Sequence, residues 1–376
     1  MRILFFSPYF YPYTSGITTY PFKILSRLAL KDDITILTFP HDKNLPPYEK
    51  IGRLKVNRLP YLFKFYKGFV SPQSIFYFVR GLKKTDAVVI NIPNFEGLLL
   101  AILARLYGKK TIAIFHCYLD GGKNALIKTA NFFANLSSGL QMILSDVVVA
   151  YTKDYVRNSP FYKFIGTKLK VTLPPVENVD FDKATYEAFS KQKNRDVWIG
   201  YAGRISTEKG LEYLIEATKQ KNVKLVFAGP YGVSVAGENQ YYQKILSVLK
   251  KNRIKHKFLG NLSGRRLASF YKAVDLLVLP SINRTEAFGM VQPEAMMAGT
   301  PVIASNLPGV RVPIKLTKMG ILIEPKNVRD LTEAVKTLLK NKNKYANVRL
   351  TQNAKAIFDI KKVFQFYDDL FHKKIS

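Results

Sequence analysis

One cysteine, Cys117, stands in 376 residues. That rules out an internal disulfide and a thiolate metal cluster, and it fits a reducing compartment. Long apolar runs are missing too. "EGLLLAILARLYG" falls short of the roughly eighteen residues a membrane span needs, and it carries Arg105. The opening "MRILFFSPYFYPYTSG" has no charged leader, long apolar core or small-residue cleavage site, so it reads as a strand rather than a signal peptide. There is no low-complexity tract, no Pro/Ser-rich linker and no repeat at solenoid periods. Acidic residues are scarce: 27 against 58 basic ones, a net charge of +31. Residues 1–178 hold 24 basic and 10 acidic side chains, net +14, and the remainder carries +17. The charge is therefore no detachable arm. Such a field favours nucleic acid, anionic lipid surfaces or phosphate-bearing substrates, and alone it does not choose among them. The expectation is a cytoplasmic protein whose membrane contact is peripheral, at the inner face of the cell membrane.

What the chain does have is alternation. "RILFFSP", "DITILTF", "DAVVINIP", "KTIAIFH" and "DVVVAYT" are apolar strand-like runs separated by helical periodicity. The rhythm breaks at "KVTLPPVENVDFD" and restarts with "DVWIGYAGR", "VKLVFAGP", "DLLVLPS" and "PVIAS". Continuous apolar strands between amphipathic stretches indicate parallel sheets covered by helices. The expected fold is α/β, two doubly wound Rossmann-like domains facing across a cleft. Their limits are 1–178 and 179–355, with a helix in 356–376 packing back on the first domain. Ligands of such sheets bind at the carboxyl ends of strands.

The stretch "RTEAFGMVQPEAMMAGTPVIAS" places Glu286 and Glu294 around Gly289. Gly289 permits a tight turn, "MVQPEAMMA" makes a short helix, and Gly299 ends it before Thr300-Pro301. The amides around Gly289 to Val291 then lie at the positive end of a helix dipole, a setting suited to phosphate. Glu294, one turn in, can accept two hydrogen bonds from a diol such as a ribose. The plainer alternative is that both carboxylates merely complement the dipole. In "YAGRISTEKGLEYLIEA", Arg204 follows a strand end and Lys209-Gly210 opens a helix. A guanidinium fork and an ammonium point charge can together neutralise a departing diphosphate without a metal. A solvated surface pair is the alternative.

Gly-Arg-x4-Lys-Gly followed by Glu-x7-Glu resembles glycosyltransferase family 4, retaining GT-B enzymes that use nucleotide-sugars. "SPYFYPYTSGITTY", "FHCYLDGG", "PPVENVDFD", "SNLPGVRVPI" and "GILIEP" are similar to further family segments, so the resemblance covers nearly the whole chain. It implies a nucleotide-diphosphate sugar as donor substrate, no cofactor and no metal. Glu294 would hold the donor ribose, and Glu286 with the amides of Phe288, Gly289, Met290 and Val291 would hold sugar and phosphate. Arg204 and Lys209 would clamp the diphosphate. Gly16 would let the first-domain loop approach donor and acceptor, and His116 would contact the transferred sugar. Reaction on one face of the sugar, with the leaving phosphate helping to deprotonate the acceptor, needs no enzymic nucleophile. Ser15-Gly16 replaces the family's Gly-Gly. Asp180 and Asp182 form an Asp-x-Asp that sits in the linker and reads as structural.

In residues 61–84, "YLFKFYKGFVSPQSIFYFVRGLKK", aromatics interleave with Lys64, Lys67, Arg80, Lys83 and Lys84. Aromatic and basic side chains together suit a membrane interface, or stacking on nucleic acid; a helix with its aromatics in the core and its lysines solvated is the other reading. The resemblance tilts toward an anionic membrane surface and a lipid-linked or glycan acceptor. A glycoside hydrolase would need carboxylates facing each other across a bond. A GT-B sugar-nucleotide epimerase shares the fold, but Gly-Arg-x4-Lys favours transfer. A basic nucleic-acid-binding protein is motivated by charge alone; no base-reading module is present, and no nucleic-acid partner is expected.

Overall fold

The computed structural model describes the chain except for residues 14, 66–67, 122–124, 220–221, 236 and 373–376. Two compact units divide it: residues 1–175 with 360–376, and residues 176–359.

The first unit runs β1 (Arg2–Phe6), α1 (Gly16–Leu28), β2 (Asp33–Thr38), β3 (Tyr48–Ile51), β4 (Leu54–Arg58), β5 (Phe63–Phe65) and β6 (Gly68–Val70). It continues through α2 (Ser74–Leu82), β7 (Ala87–Ile92), α3 (Gly97–Leu106), β8 (Lys110–Phe115), α4 (Ala125–Leu144) and β9 (Val147–Ala150). The short helices α5 (Lys153–Arg157) and α6 (Tyr162–Ile165) lead to β10 (Leu169–Val171). Among the described residues the main sheet has the order β10-β9-β8-β7-β1-β2-β4-β3, parallel throughout apart from the β3–β4 pair. Every residue of β7 is buried, as a strand covered on both faces must be. Right-handed crossovers that run in opposite directions from β1 and β7 put α1 on one face and α2, α3 and α4 on the other. Accordingly α2 packs on α3 and α3 on α4.

Residues 61–84 differ from a single helix. They form the β5–β6 hairpin followed by α2, because Gly68 and Ser71-Pro72 interrupt the helical period. Phe69 and Phe78 from this stretch enter the core beside Leu4, Phe6 and Val88.

The second unit begins with α7 (Lys183–Lys193), β11 (Val197–Ala202), α8 (Leu211–Ala217), β12 (Val223–Ala228), α9 (Asn239–Lys251), β13 (Lys255–Phe258) and α10 (Gly264–Ala273). After β14 (Leu276–Leu279) come α11 (Val291–Met297), β15 (Val302–Ser305), α12 (Val312–Thr317), β16 (Gly320–Ile323), α13 (Val328–Lys340), α14 (Lys342–Tyr345) and α15 (Val348–Ile357). The sheet is all parallel, in the order β13-β12-β11-β14-β15-β16. In α13, Leu331, Ala334, Val335 and Leu338 are buried at helical spacing, and the Asn327 side chain caps the start by accepting from Asp330 N at 3.0 Å. Asp182 does the same for α7, accepting from Thr185 N at 2.8 Å; the Thr185 hydroxyl first, and this amide with it, hold its carboxyl below the usual range. A sequence boundary at 355 falls inside α15, which packs on α11 and α12; the chain leaves this unit at Asp359 instead.

Beyond it, α16 (Ile360–His372) joins the first unit. Tyr367 meets Tyr20 of α1 hydroxyl to hydroxyl at 2.7 Å in a buried site, and Lys31 pairs with Asp368 at 2.8 Å. Replacing one tyrosine leaves the other hydroxyl buried without its partner, a cost of about 1–3 kcal/mol. Tyr367→Phe is expected to lower the urea stability of the full chain by that amount, measured by circular dichroism. The double change Tyr20→Phe/Tyr367→Phe should cost less than twice the single one.

Candidate functional site

In the second sheet β11 pairs with β14, while the chain moves outward from β11 through β12 and from β14 through β15. The strand order reverses between β11 and β14, and their carboxyl ends mark the place where such sheets hold ligands. Arg204 follows β11, and Ser281 follows β14.

Tyr201, fully buried in β11, donates its hydroxyl to the carbonyl of Arg204 at 2.7 Å and fixes the backbone there. Burial, then the charges of Glu208 and Glu286, push the Tyr201 phenol well above its ordinary range. The next turn, Thr207–Lys209, ends in Gly210 at φ +62°, the left-handed region. A Cβ at Gly210 would lie 2.6 Å from the carbonyl oxygen of Pro280. Glycine thus lets this turn lie directly against the segment after β14, where Ile282 N donates to Glu208 O at 3.0 Å.

That contact delivers Lys209 to Glu286: the ammonium donates to Glu286 Oε2, and both side chains are mostly shielded, 16% and 14% exposed. The guanidinium of Arg204, half exposed, donates to Glu208 Oε1 at 3.2 Å, and Ser206 Oγ donates to the same oxygen at 2.7 Å. Burial pushes the Glu208 carboxyl up, but Lys209, the Ser206 hydroxyl and Arg204 outweigh it and hold it below the usual range. Two cations and two carboxylates alternate at the strand ends. Lysine has three donors and arginine five, so each can bind an incoming anion while keeping its carboxylate.

Gly289, at φ +75°, turns the chain into α11, and a Cβ there would strike Leu279 Cδ2. Buried Gln292 locks the turn by donating to Phe288 O at 2.9 Å and Val310 O at 2.8 Å. The Phe288 ring is core, with its edge toward Phe358. Only the backbone of Phe288 can serve a ligand, therefore, along with that of Met290 and Val291 at the helix start. Glu294 stands in the first turn of α11, where Tyr271 donates to its Oε2 at 2.6 Å. Burial and then the Glu294 charge raise the Tyr271 phenol well above its ordinary range. The second unit thus assembles Arg204, Lys209, Glu286, Gly289 and Glu294 on neighbouring segments.

Gly16 and His116 belong to the first unit. Gly16 is the exposed first residue of α1, after Ser15, whose amide donates to Thr18 Oγ1 at 3.0 Å. His116 follows β8 and is buried, with Nε2 2.5 Å from Asn91 Oδ1 and Nδ1 bonded to the Tyr151 hydroxyl. Asn91 in turn donates to Ser7 Oγ at 3.0 Å, at the strand reversal between β1 and β7. Both ring nitrogens are engaged, so a sugar contact by this ring requires exchange of one bond. Of the basic residues in 61–84, Lys64 lies 5.2 Å from the Tyr9 ring centroid; Arg80, Lys83 and Lys84 are exposed; Lys67 lies outside the described residues.

Sequence reasoning missed Glu208, Tyr271 and Asn91. Glu208 lies inside the Gly-Arg-x4-Lys stretch at a variable position, and Tyr271 is on a different helix from its partner. Only folding joins them.

The fold and this strand-end arrangement define the GT-B class of α/β proteins. HepE of Anabaena, in complex with UDP-glucose, superposes with a TM-score of 0.76 at 17% identity, covering 100% of both chains. Residues 182–356 match the family described as glycosyl transferases group 1. An uncharacterized glycosyltransferase of Methanocaldococcus jannaschii is 37% identical over 145 residues, 38% of this chain; the aligned part spans only 35% of that relative's length. A second from the same organism is 26% identical over 347 residues, 91% of this chain and 89% of that one.

Burial pushes the His116 imidazole down to about 3. The folded state therefore binds fewer protons than the unfolded chain between about pH 3 and the ordinary value near pH 6.5. This contribution to stability is complete above that value and is lost as the pH falls. The thermal midpoint should drop more between about pH 7 and about pH 5 in the wild type than in His116→Gln, which has no titrating ring. Equal drops would contradict a neutral buried imidazole.

Proposed function

We propose that the protein is a metal-independent, retaining glycosyltransferase, a hexosyltransferase that moves a sugar from a nucleotide-diphosphate donor to a lipid-linked or glycan acceptor. The observation that carries this reading is the pairing of Lys209 with Glu286 beside Arg204, at the carboxyl ends of β11 and β14. A diphosphate bound there takes hydrogen bonds from both cations. The alternating carboxylates keep the cations compensated and in place. Glu294, held by Tyr271, is set to accept from the ribose hydroxyls. The match of residues 182–356 to the glycosyl transferases group 1 family supports transfer as the chemistry. The UDP-glucose complex of HepE supports a nucleotide-sugar as the donor.

In the reaction the bond between the anomeric carbon and the diphosphate oxygen breaks as the acceptor oxygen bonds to that carbon on the same face. The acceptor proton passes to the departing phosphate, and Arg204 and Lys209 stabilise the charge that develops on it. Glu286, through its bond to Lys209, positions the ammonium and faces the sugar hydroxyls. Catalysis in this scheme is mainly orientation and charge stabilisation.

Thermal shifts with UDP, GDP, ADP and dTDP, each with and without EDTA, test the reading. One nucleotide is expected to stabilise the wild type with no effect of EDTA, and Glu294→Ala should lose that shift. No shift with any nucleotide, together with tight RNA binding, would overturn it. Tyr271→Phe should weaken the preferred nucleotide about tenfold or more, the cost of one hydrogen bond to a charged acceptor. It should leave a ribose-free analogue unaffected, as measured by calorimetry.

A further inference from the structure

On the first unit, α2, α3 and α4 lie side by side on one face of the sheet, with the β5–β6 hairpin sharing their core. Their outward sides are apolar. Phe63 of the hairpin, Phe76 of α2, Leu106 of α3, and Phe132 and Phe133 of α4 are all exposed, Leu106 by 77%. Single exposed apolar residues are ordinary, but a run of them across neighbouring elements is not. The helices are also free of carboxylates. "SIFYFVRGL", "GLLLAILARL" and "ALIKTANFFANLSSGLQMIL" contain no Asp or Glu, while Arg80, Arg105 and Lys128 are exposed on them. Just before α3, Glu96 turns back on the protein and accepts from the amides of Phe69 at 2.5 Å and Phe95 at 3.1 Å. A helix exposed to water on one side normally carries charges of both signs there. This face offers aromatics and aliphatics with cations alone.

We infer that the α2–α4 face, hairpin included, is the surface by which the protein seats on an anionic lipid bilayer. The seat extends well beyond residues 61–84, because α3 and α4 contribute as much of it as α2. Charge complementarity selects lipid over a second copy of the chain: two such faces would bring Arg80, Arg105 and Lys128 against their own kind. Anionic headgroups instead pair with these cations while Phe76, Leu106, Phe132 and Phe133 enter the acyl boundary. Among the described residues no helix is long and apolar enough to cross a membrane, so the contact lies along the interface. The inference deepens the membrane side of the proposed function, in that a seated face gives a lipid-borne acceptor a fixed approach, but it stands on surface chemistry independent of the donor site.

The test is flotation of the full chain with phosphatidylcholine vesicles and with vesicles that also contain phosphatidylglycerol, at low and high salt. Binding to the anionic vesicles, weakened by salt and reduced about tenfold or more in Phe132→Ser/Phe133→Ser, is expected. Arg105→Glu/Lys128→Glu should reduce it without touching an apolar residue. Failure to bind anionic vesicles, or binding that neither double variant alters, would overturn the assignment. So would self-association in sedimentation velocity that Phe132→Ser/Phe133→Ser abolishes, which would make a second copy the occupant. Nucleotide thermal shifts on the same preparations report folding and donor binding separately, so loss of one reading leaves the other distinguishable.

Discussion

The turn at Thr207–Gly210 lying against Pro280–Ile282 is the constraint from which the rest of the site follows. It exists because residue 210 has no side chain: any Cβ would press into the Pro280 carbonyl. With the turn seated, Ile282 bonds to Glu208 and Lys209 reaches Glu286, so residues from two segments far apart in sequence share one charge network. Strand order puts the network at the reversal point of the sheet, where neighbouring strand ends leave room for a ligand. A shielded ammonium without its carboxylate would lose the hydrogen bond that fixes its position. The pairing keeps it aimed.

Positioning recurs at Glu294 and at the turn before α11. Tyr271 is buried and useful only for where its hydroxyl points, toward Glu294. Gln292 plays the same part for the turn before α11 by binding two backbone carbonyls. In the first unit His116, Asn91 and Ser7 form a chain of bonds at the corresponding strand reversal. The bonds of Tyr271 and Gln292 are rigid supports of a kind that a site relying on charge and orientation requires.

Much of this was legible in the sequence because its signals are local. Parallel strands announce themselves as continuous apolar runs, and β7 and β14 are buried along their whole length. Gly289 and Gly299, with Glu294 between them, mark out a turn, a short helix and its end from residue chemistry alone. Arg204 and Lys209 stand in one short stretch. The partners were not legible, since nothing near Glu294 in sequence points to Tyr271, and nothing near Lys209 points to Glu286. The aromatic-basic segment 61–84 was ambiguous for a related reason. Its period does not reveal that Phe69 and Phe78 turn inward while Phe63 and Phe76 face out, nor that α3 and α4 continue the same surface.

The central claim is that Arg204 and Lys209 exist to hold a diphosphate. Calorimetric titration of UMP and UDP, or the matching pair for whichever base the protein prefers, tests it most directly. The diphosphate is expected to bind at least about tenfold more tightly than the monophosphate, as one or two charge-assisted hydrogen bonds imply. That advantage should collapse in Lys209→Ala with little change in monophosphate affinity. Equal affinities for the two nucleotides, or an advantage untouched by Lys209→Ala, would contradict the claim.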